Sequence, residues 1–194
     1  MMPRLLLPVL TAGFLTISFA SSWAQEMGEM GPPEEMMQIT GMAGEWDVEF
    51  RFRMDPTADW TVSACSATIE NILDGSAQEM SFRGNMLGME MLGRYLICYD
   101  RQTKKWQGVW VDNFAARISY SEGEMKDGMM VLEGLDKMEG RDVLVRITTF
   151  DITADRFDWK MEHSMDGGTN FVTSATAVYT RAGGGEESPE QGGR

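Results

Sequence analysis

The chain has 194 residues, with 30 acidic and 17 basic side chains and a formal net charge of -13 at pH 7. This acidic excess argues against nucleic acid and anionic membrane surfaces as partners, because both are bound by basic surfaces. The sequence also lacks a phosphate loop, a Gly-x-Gly-x-x-Gly motif, a Gly-x-Ser-x-Gly motif and a Cys-x-x-Cys pair, so it gives no support to the enzyme classes that these motifs mark.

Residues 1–24 have the features of a secretory signal peptide. An arginine precedes an apolar run over residues 5–19, and Ser22 and Ala24 place small residues where a signal peptidase reads them, which predicts cleavage before Gln25. The apolar run is shorter than the roughly 20 residues that span a bilayer. We therefore expect an exported, soluble mature chain, periplasmic or secreted, with no membrane span.

Two segments of biased composition flank the central part of the chain. Residues 25–40 contain adjacent prolines, four glutamates and no aromatic residue, which predicts a flexible linker or short helix outside the core. Its methionines could hold copper(I), which prefers thioethers, but no cysteine or histidine accompanies them and we interpret them as linker residues. Residues 183–194 are rich in glycine and glutamate and are predicted to be a disordered tail. Residues 41–182 between them have the size of one domain.

The central region reads as a series of strands. From Trp46 to Phe52 every even position is apolar, and from Glu45 to Arg53 every odd position is charged, as in a strand with one buried and one solvated face. Turn residues such as Asp74-Gly75 and Glu122-Gly123 separate the segments. The predicted strands are 45–54, 61–69, 78–84, 90–99, 105–111, 116–121, 129–133, 142–151, 156–163 and 171–181.

Short strands at regular spacing with glycine and aspartate turns are typical of a sandwich or barrel. Closing the sheet also removes the exposed edges that otherwise promote aggregation. The predicted fold class is therefore all-β, an antiparallel up-and-down closed barrel of about ten strands.

Several segments resemble a known family, in the order that the family has them. They are MAGEWDV at 42–48, MDP at 54–56, GNMLGM at 84–89, YD at 99–100, KKWQGVWVD at 104–112, SEG at 121–123 and YTR at 179–181. With these the chain resembles the bacterial domain of unknown function 1579 family over about residues 41–182. The resemblance implies a lipocalin-like barrel with no established activity. Two departures are Cys98, in place of an expected glycine, and the lack of a histidine shortly before Ala43.

The first of these segments carries a structural implication. Gly44 and Trp46 resemble the barrel-closing signature of lipocalins, in which an arginine of the last strand lies over the tryptophan ring. The resemblance implies that Arg181 covers Trp46, a cation–π contact that contributes about 1 kcal/mol. This is a structural role, and we assign no catalytic residue.

His163 is the only histidine of the chain, and it shares a strand face with Phe157, Trp159 and Met161. It should therefore point into the barrel near the rim. Three roles remain open: a hydrogen-bonded interior residue, a polar anchor for a ligand, or an axial ligand to haem iron. Zinc is not supported, because it needs three or four ligands and the chain offers one good one. No metal site is expected, and haem is the one cofactor considered.

Five aromatic residues, together with His163, are candidate ligand-binding residues: Tyr95, Tyr99, Trp106, Trp110 and Trp159. They either line a pocket or fill a small barrel completely. Asp100 and Asp112 could form a carboxylate pair, but each follows a strand, where aspartate commonly opens a turn.

The two cysteines are not expected to form a disulfide. In a meander Cys65 lies on the second strand and Cys98 on the fourth, about 9.5 Å apart at twice the interstrand spacing. A disulfide needs Cα atoms within about 7 Å. An exported protein permits disulfides, but we expect two small buried thiols.

These features favour an exported lipocalin-like barrel that binds a small apolar or amphipathic molecule without catalysis. The alternative is a structural or interaction module with a solidly packed barrel, whose acidic surface meets a protein partner. A haem binder or an enzyme using His163 comes third. A cavity of about 300 Å³ or more would favour the first over the second.

Overall fold

The computed structural model describes residues 31–138 and 140–183. In this part of the chain ten antiparallel strands form a closed barrel in which each strand pairs with its neighbours in sequence and β10 pairs with β1. The strands are β1 (Gly44–Phe52), β2 (Thr61–Ile72), β3 (Ala77–Met86), β4 (Met89–Asp100), β5 (Lys105–Asp112), β6 (Ile118–Lys126), β7 (Met129–Met138), β8 (Arg141–Phe150), β9 (Arg156–Ser164) and β10 (Val172–Arg181). The predicted fold class is confirmed.

The alternating pattern of β1 sets the inner face of the barrel. Trp46, Val48 and Phe52 are buried, and the charged residues between them are exposed. Trp46 pairs with Ala67 of β2 and Arg181 of β10. Because side chains directly opposite each other in an antiparallel pair share a face, this register carries the inner face from strand to strand.

The predicted turn at Glu122-Gly123 is wrong. Both residues lie within β6, where Gly123 pairs with Trp106 on one side and Leu132 on the other. A Cβ at Gly123 would lie 2.0 Å from the carbonyl oxygen of Val131. The glycine therefore permits a close approach of two strands, which a sequence pattern does not distinguish from a turn.

The prediction that residues 25–40 lie outside the core is also wrong for its described part. Two 3-10 helices, Glu34–Gln38 and Thr40–Met42, form what we call the N-terminal segment. Met36 and Ile39 are 1% and 2% exposed and belong to the main hydrophobic cluster. Gln78 donates to the Ile39 carbonyl at 2.9 Å. Met36, which the sequence pattern placed in a linker, therefore covers one end of the barrel.

Arg181 closes the barrel at that same end. Its guanidinium carbon lies 4.3 Å from the centroid of the Trp46 ring, as the resemblance implied, and Trp46 is 1% exposed. The indole nitrogen of Trp46 donates to the Met42 carbonyl at 2.8 Å. Gly44 has φ +139°, and a Cβ there would lie 2.3 Å from Arg181 Nη1. Glycine is required at this position both for its backbone conformation and to leave room for the guanidinium.

The hydrogen bonds of Arg181 join segments that are distant in sequence. Nη1 donates to the Ala43 carbonyl at 3.0 Å and Nη2 to the Gly41 carbonyl at 2.9 Å. Nε donates to the Ala154 carbonyl, in the turn between β8 and β9, at 2.6 Å. One side chain thus connects the N-terminal segment, the first strand and a turn near the end of the chain.

Cys65 and Cys98 are both free and half-buried. Cys65 pairs with Val48 and faces inward, whereas Cys98 follows the inward-facing Ile97 and lies on the outer face. Burial raises the pKa of both thiols, which disfavours the reactive thiolate.

The predicted signal peptide, residues 25–30 of the predicted linker and residues 184–194 of the predicted tail lie outside the described residues. Among the residues described, none form a helix with the length and apolar character to cross a membrane.

A double-mutant cycle tests the contact between Trp46 and Arg181. Trp46→Ala should lower the free energy of unfolding by about 3–5 kcal/mol as a large-to-small core change. Arg181→Ala should cost less, and the double variant should lose less than the sum, because the contact can be lost only once. Urea denaturation measures all three.

Arg51→Ala provides the matched control, since Arg51 lies on the exposed face of the same strand. Its effect should add to that of Trp46→Ala. If the losses for Trp46→Ala and Arg181→Ala were also additive, the cation–π contact would contribute nothing measurable.

Candidate functional site: a cavity open at one end

The barrel encloses a cavity of about 330 Å³. Its floor is formed by Phe157 and Tyr179, whose rings stack at 4.1 Å, together with Ile39 and Met42 of the N-terminal segment. At the opposite end the lining includes Asp112, Ala115, Arg117, Asp136 and His163, which we call the mouth. The polarity of the cavity is therefore graded, from an apolar floor to a charged mouth.

Aromatic residues on β4 and β5 lie flat against the wall of the cavity. A Cβ at Gly93 would lie 2.1 Å from the ring of Trp110, and a Cβ at Gly108 would lie 2.1 Å from the hydroxyl oxygen of Tyr95. Each ring thus occupies the space over a glycine of the neighbouring strand. This arrangement accommodates two large side chains while leaving the centre of the barrel open.

The structure brings together four of the six predicted ligand-binding residues. Tyr95, Trp110, Trp159 and His163 line the cavity. Tyr99 and Trp106 do not: their rings meet edge to face at 5.6 Å, and Trp106 is 2% exposed. These two residues pack at the closed end, where the N-terminal segment covers them, so for them the prediction of a pocket position is wrong.

His163 faces the mouth and is held by a β-bulge in β10. The register between β9 and β10 shifts between Thr173 and Ala175. The intervening Ser174 places its hydroxyl oxygen 2.8 Å from His163 Nδ1 and 3.3 Å from the Met161 carbonyl. With the hydroxyl hydrogen donated to that carbonyl, the oxygen accepts from Nδ1–H, which leaves Nε2 as an acceptor in the neutral ring.

Burial lowers the pKa of His163, an effect that the charge of Asp136 partly opposes. The imidazole is therefore neutral at pH 7. Burial inside the barrel raises the pKa of Tyr95, against the effect of its hydrogen bond with Ser121. His163 and Tyr95 are thus both uncharged in the cavity, which suits an apolar or amphipathic occupant.

The charges of the mouth form a small, defined set. Arg117 Nη2 contacts both carboxylate oxygens of Asp136, at 2.5 and 2.6 Å. β6 and β7 are paired from Lys126 and Met129 to Glu122 and Glu133. The ion pair joins the residue before β6 to β7 beyond that paired stretch. Asp112 accepts from Trp110 Nε1 at 2.6 Å and thereby fixes the orientation of the indole.

The loop between β9 and β10 forms one rim of the mouth and is organised by Asp166. Its carboxylate accepts from Ser164 Oγ at 2.7 Å and from the backbone and side-chain nitrogens of Asn170 at 2.9 and 2.7 Å. Hydrogen bonds from the Asn170 backbone, and then from the side chains of Ser164 and Asn170, lower the pKa of Asp166 to about 2. The loop is thus held in place beside His163.

Asp100 and Asp112 do not form a carboxylate pair. Asp100 ends β4 opposite Lys105, the first residue of β5, whereas Asp112 ends β5, seven residue steps or roughly 23 Å along the strand. Hydrogen bonds from Thr103 and Gln102 lower the pKa of Asp100, as in an ordinary turn. Within residues 31–138 and 140–183, no cluster of three or more histidine, cysteine or acidic side chains is arranged to hold a metal ion. Nε2 of His163 is the atom that could ligate a haem iron.

Three residues of the site did not stand out in the sequence. Arg117 and Asp136 are ordinary charged residues near strand ends, and only the folded structure shows that they pair with each other and line the mouth. Ser174 is turned towards His163 by a bulge, for which the strand pattern gives no signal.

A model of the family described as "Protein of unknown function (DUF1579)" matches residues 31–181. No match to the chain was found among curated proteins. Among solved structures, the fold resembles that of an S-type phycobiliprotein lyase from Guillardia theta, with a TM-score of 0.51 and 13% identity over 84% of this chain and 97% of the lyase chain. That likeness concerns the fold alone. The family match begins at Gly31, ahead of the buried Met36, and covers the whole barrel: the chain belongs to the DUF1579 family.

Proposed function

We propose that this protein binds a small amphipathic molecule in the barrel cavity and does not transform it. The observation that carries the proposal is the cavity itself, about 330 Å³, with an apolar floor and wall and polar groups at one end. Ligand sites are commonly clefts of about 300–1,000 Å³ with mainly apolar linings and a few placed polar groups.

The apolar part of such a molecule would contact Trp110, Trp159 and the stacked pair Phe157 and Tyr179. Its polar part would lie near His163 and the Arg117–Asp136 pair. Aromatic rings already held against the wall lose little conformational freedom on binding, which reduces the entropic cost. The solved structure with a related fold is named as a phycobiliprotein lyase, which is consistent with a barrel that handles a small molecule.

The alternative of a solidly packed structural barrel is less well supported. The cavity of about 330 Å³ exceeds the volume of about 300 Å³ from which ligand binding is favoured over a packed barrel. A haem-binding role is favoured by one specific observation: Ser174 engages Nδ1 of His163 at the mouth, and in the described part of the chain Nε2 makes no hydrogen bond. Haem ligation would produce a Soret band in the purified protein that His163→Ala lacks.

We also propose that the protein acts after export. The supporting observation is the signal-peptide pattern of residues 1–24. Sequencing the N-terminus of the protein from its own host should give Gln25, and a full-length chain retained in the membrane would contradict the proposal.

Blocking the cavity tests the binding function. Ser119→Trp places a large ring in the cavity, because Ser119 lines it and pairs with Trp110. We expect the variant to lose at least tenfold in affinity for N-phenyl-1-naphthylamine, an uncharged fluorescent probe of apolar sites. Fluorescence titration gives the affinity, and circular dichroism verifies the fold.

Ile118→Trp is the matched control, because Ile118 is the preceding residue, lies on the outer face and is 73% exposed. It should leave the probe affinity unchanged. Equal affinities for both variants and the wild type would place the probe outside the barrel and contradict the proposal.

The lowered pKa of His163 predicts a dependence of stability on pH. A base with a lower pKa in the folded state binds more protons when unfolded, so stability falls as pH decreases through the ordinary histidine pKa of about 6.5 and levels off below the folded value. We expect wild-type protein to lose thermal stability between about pH 6.5 and 5, and His163→Asn to lack this loss.

Hydrogen bonds lower the pKa values of several carboxylates, among them Asp55, Asp100 and Glu122. The contribution of these groups to stability is lost only below about pH 4.5. The window above pH 5 therefore isolates the histidine. Identical melting curves for the two proteins across that window would show that His163 is not desolvated in the folded state.

A further inference from the structure

We propose that the mouth binds the carboxylate of a singly charged amphipathic acid through Arg117, with the apolar part of the acid inside the barrel. The proposal rests on the ligand-binding function proposed above and names the class of ligand. It assigns Arg117 as the residue that determines which head group is accepted.

Arg117 is the one arginine or lysine among the described residues that line the cavity, and His163, the other basic residue there, is neutral at pH 7. Its side chain is 48% exposed, against 24% for the side chain of Asp136. The guanidinium is therefore reachable both from solvent and from the cavity, and it is more exposed than its partner carboxylate.

The two acids of the mouth are occupied by protein donors. Asp112 accepts from Trp110 Nε1 and from the backbone nitrogens of Phe114 and Ala115, at 2.6 to 2.8 Å. Asp136 accepts from Arg117 Nη2 at 2.6 Å and from the backbone nitrogen of Lys137 at 2.7 Å. A cationic head group would have to share carboxylate oxygens that already accept these hydrogen bonds.

The spare hydrogen-bonding capacity of the mouth lies in donors. An arginine has five N–H groups, and in the described part of the chain Arg117 uses only Nη2, towards Asp136. Nε and Nη1 remain for a ligand. Hydrogen bonds from these charged N–H groups to a carboxylate are stronger than hydrogen bonds between neutral groups.

The surrounding charge selects a single negative charge over two. Asp112 and Asp136 both line the mouth, and the chain as a whole carries a net charge of -13. A dianion such as a phosphate monoester would meet this repulsion twice, whereas Arg117 supplies one positive charge. A monocarboxylate therefore meets less repulsion than a dianion at the same guanidinium.

The test compares three ligands with the same ten-carbon chain: decanoate, 1-decanol and decylamine. Each displaces N-phenyl-1-naphthylamine from the wild type at pH 7.5, and decyl phosphate is added as the dianion. We expect decanoate to bind about tenfold more tightly than decanol, and decylamine and decyl phosphate to bind more weakly than decanoate.

Arg117→Gln should remove the preference for decanoate while keeping the affinity for decanol. Asp136→Asn should strengthen decanoate binding, because it removes the competing carboxylate. Arg94→Gln is the matched control: it removes the same charge from an exposed arginine on the outer wall, and the preference should stay unchanged. Melting temperatures verify that each variant folds, as expected for side chains this exposed.

A preference for decylamine, or equal binding of acid and alcohol by the wild type, would overturn the proposal while leaving the cavity as a ligand site. An unchanged preference in folded Arg117→Gln would overturn the role of this residue. Failure of every ten-carbon ligand and of the probe to bind would instead contradict the ligand-binding function itself.

Discussion

The contact between Arg181 and Trp46 is the interaction on which the closed end of the barrel depends. A closed sheet needs its first and last strands to meet in a fixed register, and Trp46 and Arg181 are direct partners in that pairing. The guanidinium then lies over the indole and reaches carbonyls of the N-terminal segment and of the β8–β9 turn. Gly44 completes the arrangement, because any side chain there would occupy the position of Nη1. Strand order, register and end closure are thus determined in one place.

This closure also determines where a ligand can bind. Trp46 and Trp106 are almost fully buried at one end, where the N-terminal segment packs against the barrel through the equally buried Met36. Large side chains therefore fill that end, and the remaining space lies towards the mouth. Along the wall the glycines at 93 and 108 let the rings of Trp110 and Tyr95 lie flat. A ring pointing to the barrel axis would fill the space that these two leave free.

The sequence predicts the barrel well because the period of two reports directly on which side chains face inward. It cannot report how far along the barrel axis an inward residue lies. Tyr95 and Tyr99 share the inner face of one strand, yet Tyr95 lines the cavity and Tyr99 packs at the closed end. The same limit applies to Met36, whose burial depends on a segment folding over the end of a barrel formed by later residues. The β6 strand was predicted too short, because Gly123 serves a close strand contact in place of a turn.

The size of the cavity has an energetic consequence that bears on its purpose. Empty cavities in protein cores cost about 24 cal/mol per Å³, so a dry cavity of 330 Å³ would cost on the order of 8 kcal/mol. That is comparable with the whole stability of a typical domain, so the space must be occupied by water or by a ligand. Water can hydrogen-bond at the mouth, near His163 and Asp136, but finds few partners against Trp159, Phe157 and the other apolar residues of the floor and wall. Replacing such poorly held water by an apolar group is favourable. The barrel therefore gains most from an occupant with an apolar body and a polar end, the same polarity that its own lining shows.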